Sequence, residues 1–159
     1  MEKEEWVSDT LLEWGSCGQL AYVDGAAAGY VLYAPAAYVP RAGAFPTAPV
    51  SPDAVLLMSA RVLAEFAGRG LGRQLVQAVA RDVGQRGIRA VETFGRTDTA
   101  ESSGCMLPVP FLQAVGFRTV RPHPRTPRLR LEVKAPTNWR AGVGQAVERL
   151  INTVPARVV

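Results

Sequence analysis

The chain has 159 residues, 48% of them apolar and 20% charged, with a formal charge of +4 and a pI near 9.5. That length suits a single domain with a sizeable core, and the apolar fraction excludes a disordered chain. No apolar run approaches the roughly 20 residues needed to cross a bilayer, and the opening MEKEEWVSDT is acidic without an apolar core. The expectation is a cytoplasmic protein with no membrane partner. Two cysteines, Cys17 and Cys105, and one histidine, His123, make neither a disulfide framework nor a metal-ligand spacing, so no metal is expected.

Glu2 to Trp14 carries Val7, Leu11 and Trp14 at helical spacing, with Gly15 as the stop. CGQLAYVD and AGYVLYA then read as two strands joined at Asp24-Gly25, the residue types of a tight hairpin turn. The five-proline segment PAAYVPRAGAFPTAPVSP cannot hold a ladder and reads as a long surface loop. AVLLMSARVL follows as a strand, and its continuous apolar start suits a central position covered on both faces.

From Leu71 the pattern is helical, with Leu71, Leu75, Val79 and Val83 on one face and Gly84 and Gly87 as the end signals. AVETF is a short strand beyond it, so strand, helix and strand make a crossover that implies a parallel pair. Pro110 opens a second helix, FLQAV, closed by Gly116. FRTV and RLRLEV pair as a hairpin around HPRTP, and Trp139, Val143, Val147, Leu150, Ile151 and Val154 lie on one stripe of a C-terminal helix. The fold class is α/β (α+β), a mixed sheet with helices on both sides. Residues 1–134 form the domain; 135–159 form an amphipathic helix that packs on it or on a second copy in a homodimer.

Much of the basic excess sits in FRTVRPHPRTPRLRLEVK. Its charges alternate with apolar residues and prolines, and it lacks the clustered aromatics that stack bases, so a solvated strand face is expected and nucleic acid is not.

The stretch with most chemistry is EFAGRGLGRQLV, with glycines at 68, 70 and 72 directly ahead of a helix. A helix N-terminus offers free N–H groups and the positive end of the macrodipole, and a turn stripped of side chains lets a phosphate reach them. Glycines can equally serve a tight turn and close packing alone. The spacing is G-x-G-x-G, which excludes the G-x-G-x-x-G dinucleotide fingerprint, and no Gly-Lys-Ser/Thr follows, which excludes the nucleotide-triphosphate loop. Arg69 and Arg73 sit on this turn, where two cations oppose the helix dipole and a bound anion would account for them.

The strand ARVLAEF, the turn AGRGLGRQLV, the short strand after it and FLQAVGF resemble, in that order, the GNAT superfamily of acyl-CoA-dependent N-acetyltransferases. The family signature Gln/Arg-x-x-Gly-x-Gly/Ala falls on Ala67, Gly68, Arg69, Gly70, Leu71 and Gly72, with alanine at its first position. The resemblance implies a mostly antiparallel sheet with one splayed parallel strand pair. It also implies that the amides of the turn hold the pyrophosphate of coenzyme A, and that pantetheine bonds backbone groups near Arg61, Val62 and Leu63. The activity implied is transfer of acetyl from acetyl-CoA to an amine of a small molecule, peptide or protein, by direct attack, with a backbone N–H near Val62 polarising the carbonyl. The rival is a non-catalytic acyl-CoA-binding module.

Two departures accompany the match. The tyrosine that in many family members protonates the leaving thiolate is replaced by Leu112, and only about one helix fits before Cys17, where the family usually has a strand and two helices. Either the chain is a shortened member or its start lies upstream. The candidate base for the amine is Glu92, with Glu65 and Glu101 behind it; Cys105 is a candidate acid or nucleophile, or a small buried hydrophobe.

Overall fold

The computed structural model describes residues 2–98, 106–134 and 156–158. The chain starts with helix α1 (Lys3–Glu13), which the left-handed Gly15 terminates. Strands β1 (Gly18–Val23) and β2 (Ala26–Ala34) follow, and Asp24 and Gly25 between them both take positive φ, as a tight hairpin turn requires. Strand β3 (Ala54–Val62), helix α2 (Leu71–Gln85) and strand β4 (Ala90–Phe94) form the expected crossover. Helix α3 (Val109–Ala114) precedes the hairpin of β5 (Arg118–Arg121) and β6 (Arg128–Glu132), and β7 (Ala156–Val158) is the last described element.

These strands make one mixed sheet in the order β5-β6-β4-β3-β2-β1-β7, in which β3 and β4 are parallel and every other neighbouring pair is antiparallel. The C-terminal helix drawn through Trp139 lies outside the described residues, but 156–158 are strand, paired with β1 at the sheet edge.

Alternation along β3 builds two cores. Val55 and Leu57 face α2 and join Leu71, Leu75, Val79 and Val83 of its apolar stripe, together with Val91, Leu112 and Leu129. Each such side chain stabilises the fold by about 1.5–3 kcal/mol through burial. Ala54 and Leu56 face the other way and pack with Ala42, Val50 and Phe94. The proline-rich segment is therefore not a loop laid over the surface. It folds into two 3-10 turns (Ala36–Tyr38 and Pro40–Ala44) and covers the second face of the sheet, with Phe45 stacked on Phe94 at 4.2 Å between ring centroids.

Gly84 also differs from expectation. It lies inside α2, where a Cβ would come within 2.9 Å of Val133 Cγ1, so it permits close packing of helix on sheet; Gly87, at φ +77°, follows the helix end. A buried polar network fixes the front of the domain to α2. Tyr33 donates to Asp82 at 2.6 Å and accepts from Gln19, while Arg86 bonds Asp82, the carbonyls of Trp14 and Ser16, and stacks over the Trp14 ring.

Candidate active site

The site starts where two parallel strands part. Ladder pairing of β3 with β4 covers only Ala54–Leu56 against Ala90–Glu92, and the Thr93 hydroxyl adds one last bond to the Leu57 carbonyl at 2.9 Å. At that point β3 carries a bulge: Leu32 pairs with Ser59 and Tyr33 with Leu57, leaving Met58 as the extra residue. A bulge bends its strand and shifts the alternation by one. Hence Val55 and Leu57 face α2 before it, whereas Ala60 and Val62 face α2 after it.

Beyond the bulge one edge of β3 is left without a strand partner among the described residues. The Leu63 N–H donates to the Ala28 carbonyl on β2, and Arg61 pairs with Tyr30 on that same side. Alternation then turns the N–H and C=O of Ala60 and Val62 toward the gap. Of the three positions named from the resemblance, Val62 thus offers its backbone to the gap, while Leu63 spends its N–H on β2.

The opened strand leads through a 3-10 turn (Ala64–Phe66) to the glycines. Gly68 and Gly70 take φ of +79° and +76°, a region that L side chains enter only at a cost of about 1–2 kcal/mol. Gly70 is the N-cap of α2 and supplies no side-chain cap, and its carbonyl receives the first helical bond, from Gln74. The amides of Leu71, Gly72 and Arg73 therefore have no intrahelical partner. Gly72 has a different reason for being glycine: a Cβ there would sit 3.0 Å from the Phe111 ring. Arg69 is exposed with its guanidinium over the Phe66 ring, and Arg73 donates to the Ala114 carbonyl at the end of α3. Gly68, Gly70 and the free amides thus lie together at one exposed corner, with two cations beside them.

Two cavities flank the gap. The smaller, about 260 Å³, lies on the α2 side between Ala60, Val62, Gly72, Leu75 and Phe111. The larger, about 580 Å³, lies on the other face and is lined by α1, the 3-10 turns, and the facing ends of β3 and β4. They take consecutive stretches of β3, Leu56–Ser59 for the larger and Ala60–Val62 for the smaller, and adjoin again at Met106 and Leu107.

Glu92 is not in either lining. It is fully buried beneath the sheet, where Arg128 and the Ser51 amide bond one carboxylate oxygen and Arg130 bonds the other at 2.9 Å. Burial alone would raise its pKa, but the bonds from Ser51, Arg130 and Arg128 outweigh that and hold it below the usual carboxylate range. A carboxylate held this way is a poor acceptor for an ammonium proton, and the observed part is that of an ion-pair anchor between β4 and β6. This also corrects the picture of a solvated arginine face. Arg128 and Arg130 turn inward, the latter also pairing with Asp53 and Glu132, while Arg118 and Arg121 of β5 remain exposed.

Glu65 is exposed on the 3-10 turn, and Glu101 and Cys105 lie outside the described residues. Cys17 is buried, with its thiol pushed up in pKa by that burial. Leu112 is wholly buried in the α2-side core, and its neighbour Phe111 lines the smaller cavity instead.

The residues that sequence reasoning missed are those of the larger cavity: Trp6, Tyr38, Phe45, Met58, Ser59 and Phe94. The Trp6 indole donates to the Tyr38 carbonyl at 2.7 Å and ties α1 to the 3-10 turns, so two segments distant in sequence form one wall. The available signal was the Tyr, Val and Phe content of the proline-rich segment, too apolar for a solvated loop.

The GNAT acetyltransferase family model matches residues 2–107. Solved structures share the architecture. A protein assigned to the GNAT family from Desulfovibrio desulfuricans aligns at TM-score 0.56 and 24% identity over 82% of this chain and 79% of its own. Ard1 from Thermoplasma volcanium aligns at 0.59 and 16% over 84% and 81%. The PaiA N-acetyltransferase from Thermoplasma acidophilum, solved in complex with coenzyme A, aligns at 0.52 and 11% over 83% and 80%. A search of curated protein sequences finds no match. With the family match spanning two thirds of the residues, from α1 through the glycine turn to the far side of the gap, the chain belongs to the GNAT family of acetyltransferases.

Proposed function

We propose that this protein transfers acetyl from acetyl-CoA to a primary amine by direct attack within the β3–β4 gap. The observation that carries the reading is the continuity of two backbone surfaces left unsatisfied among the described residues: the open edge at Ala60 and Val62, and the uncapped, glycine-built start of α2. The first suits the amides of a pantetheine arm, which add to a strand edge as another strand would. The second suits a pyrophosphate, held by amides from Ala67 to Arg73 with Arg69 and Arg73 as counter-charges.

In the reaction, the amine nitrogen adds to the thioester carbonyl carbon and negative charge develops on the carbonyl oxygen. The Val62 N–H is the donor assigned to that oxygen, and removing such a donor from an active site typically costs about 10²–10³ in rate. The tetrahedral adduct collapses with cleavage of the C–S bond, the amine proton goes to solvent, and the coenzyme A thiolate takes a proton. With Glu92 locked between two arginines and no acidic side chain among the described residues lining either cavity, the amine is taken to enter neutral. The thiolate needs little help, since a free thiol with a pKa near ~8.5 is a fair leaving group. Leucine at 112 is compatible with that.

The test is release of free coenzyme A thiol, together with mass-spectrometric detection of the acetylated amine, using acetyl-CoA and a panel of primary amines. Amine-dependent thiol release that is lost in Gly70→Val supports the reading. Tight acetyl-CoA binding with no turnover of any amine would leave the non-catalytic binding module as the better description.

A further inference from the structure

We infer that the acceptor is a small apolar amino acid or a close analogue, with one primary amine, one carboxylate and an aromatic or aliphatic side chain. This rests on the proposed transferase reading and concerns the larger cavity alone.

At about 580 Å³ the cavity falls within the range of small-ligand sites, and it abuts the bulge at Met58 where the gap opens. Its floor is the stacked Phe45 and Phe94 pair, and Met58 and Met106 add two polarisable thioethers. Such walls reward an apolar side chain, and the hydroxyls of Tyr38, Ser59 and Thr93 are few beside them.

Among the described residues lining this cavity none is acidic, and the charged ones are Lys3 and Arg41. Lys3 is held in place by its bond to the Tyr30 hydroxyl at 2.8 Å and its position over the Tyr30 ring. Arg41 is exposed at the end of the second 3-10 turn, with no ion-pair partner among the described residues. A polyamine or aminoglycoside would bring several positive charges to two cations and find no carboxylate among the described residues, which is unfavourable on both counts. A carboxylate finds counter-charges there. The same cations and apolar walls favour the neutral form of the amine, the form that attacks, so described walls that hold no carboxylate still present a nucleophile.

The experiment compares kcat/KM for L-phenylalanine, L-methionine, phenethylamine and spermidine with purified full-length protein, after acetyl-CoA binding has been established by calorimetry. The expected order places the two amino acids first, phenethylamine at least tenfold lower and spermidine lowest. Arg41→Ala should then reduce the preference for L-phenylalanine over phenethylamine about tenfold or more. Spermidine as the best substrate, phenethylamine equal to L-phenylalanine, or turnover of none of the four beside turnover of another primary amine would each overturn this assignment. Absence of acetyl-CoA binding would instead remove the transferase reading beneath it.

Discussion

The two sides of the β3–β4 gap are made from different materials. On the α2 side the site is main chain: a strand edge and helix amides without partners among the described residues, and a turn with two left-handed glycines. On the opposite side it is side chains, drawn from α1, the 3-10 turns, β3, β4 and the segment at Met106. A backbone site tolerates wide change in sequence because any residue carries an N–H, so long as nothing blocks the approach. A side-chain site changes with every substitution. The first kind of construction suits a cosubstrate shared across a family, and the second suits an acceptor particular to one member.

The largest effect should come from Glu92, which lines neither side and anchors β4 to β6. Glu92→Ala strands two inward-turned arginines, and losing one partner of a buried pair costs about 3–5 kcal/mol. Denaturant unfolding should show a loss of that size. The pH dependence follows from the same geometry. The folded-state pKa of Glu92 is depressed, so its stabilisation is full above the unfolded carboxylate value near ~4.3 and is lost as pH falls through the folded one. Glu92→Gln should accordingly lose stability at neutral pH and flatten the acid limb of the stability curve. If Glu92→Gln kept wild-type stability while kcat collapsed, the carboxylate would be the catalytic base, contrary to this account.

Next in size is Leu112→Tyr. Leu112 is wholly buried, and its methyl lies where a Cβ on Gly95 would be met at 3.0 Å, so a larger ring overpacks that site. The expected cost is about 1–3 kcal/mol by thermal or chemical unfolding. A stable variant with faster turnover would show that the side chain reaches the gap, and would move α3 from the core into the chemistry.

The main-chain side can be isolated by a matched pair. Gly70 and Gly87 sit at φ +76° and +77°, and a Cβ at either meets nothing within 4 Å. Gly70→Val and Gly87→Val should therefore lose similar stability from backbone strain. Only Gly70→Val should weaken coenzyme A binding in calorimetry, by tenfold or more, about 1.4 kcal/mol or above. Equal affinities in the two variants would detach the turn from the cofactor.

The smallest effect belongs to the side-chain wall. Trp6→Phe removes the indole bond to the Tyr38 carbonyl, worth about 0.5–1.5 kcal/mol, and should raise the acceptor KM while leaving coenzyme A affinity unchanged. A change in coenzyme A affinity instead would mean that the two sides are not separable.

The same contrast governs what was legible in the sequence. The hairpin at Asp24-Gly25, the crossover through α2 and the glycine turn carry local signals, because each rests on a φ angle or a repeat of 3.6 or 2 residues. The larger cavity has no local signal: Trp6 and Tyr38 meet across 32 positions, and Arg128 reaches Thr47 across 81. Prolines marked 35–52 as irregular, which was right for the ladder, yet the segment's Tyr, Val and Phe residues drive it onto the sheet. Alternating charge along β6 suggested a wet face, because nothing local reveals that Glu92 waits beneath Arg128 and Arg130. The bulge at Met58 is likewise invisible without its partner strand, although it decides which β3 residues face the gap.

Coenzyme A is proposed to occupy the main-chain side and to leave the side-chain side free for an acceptor. Amide chemical-shift mapping of the labelled protein titrated with coenzyme A tests it directly. Large perturbations are expected at Ala60, Val62 and residues 67–73, with Tyr38, Ala42 and Phe45 left near their free positions. Saturable binding that shifted the 36–45 segment and spared the glycine turn would contradict it.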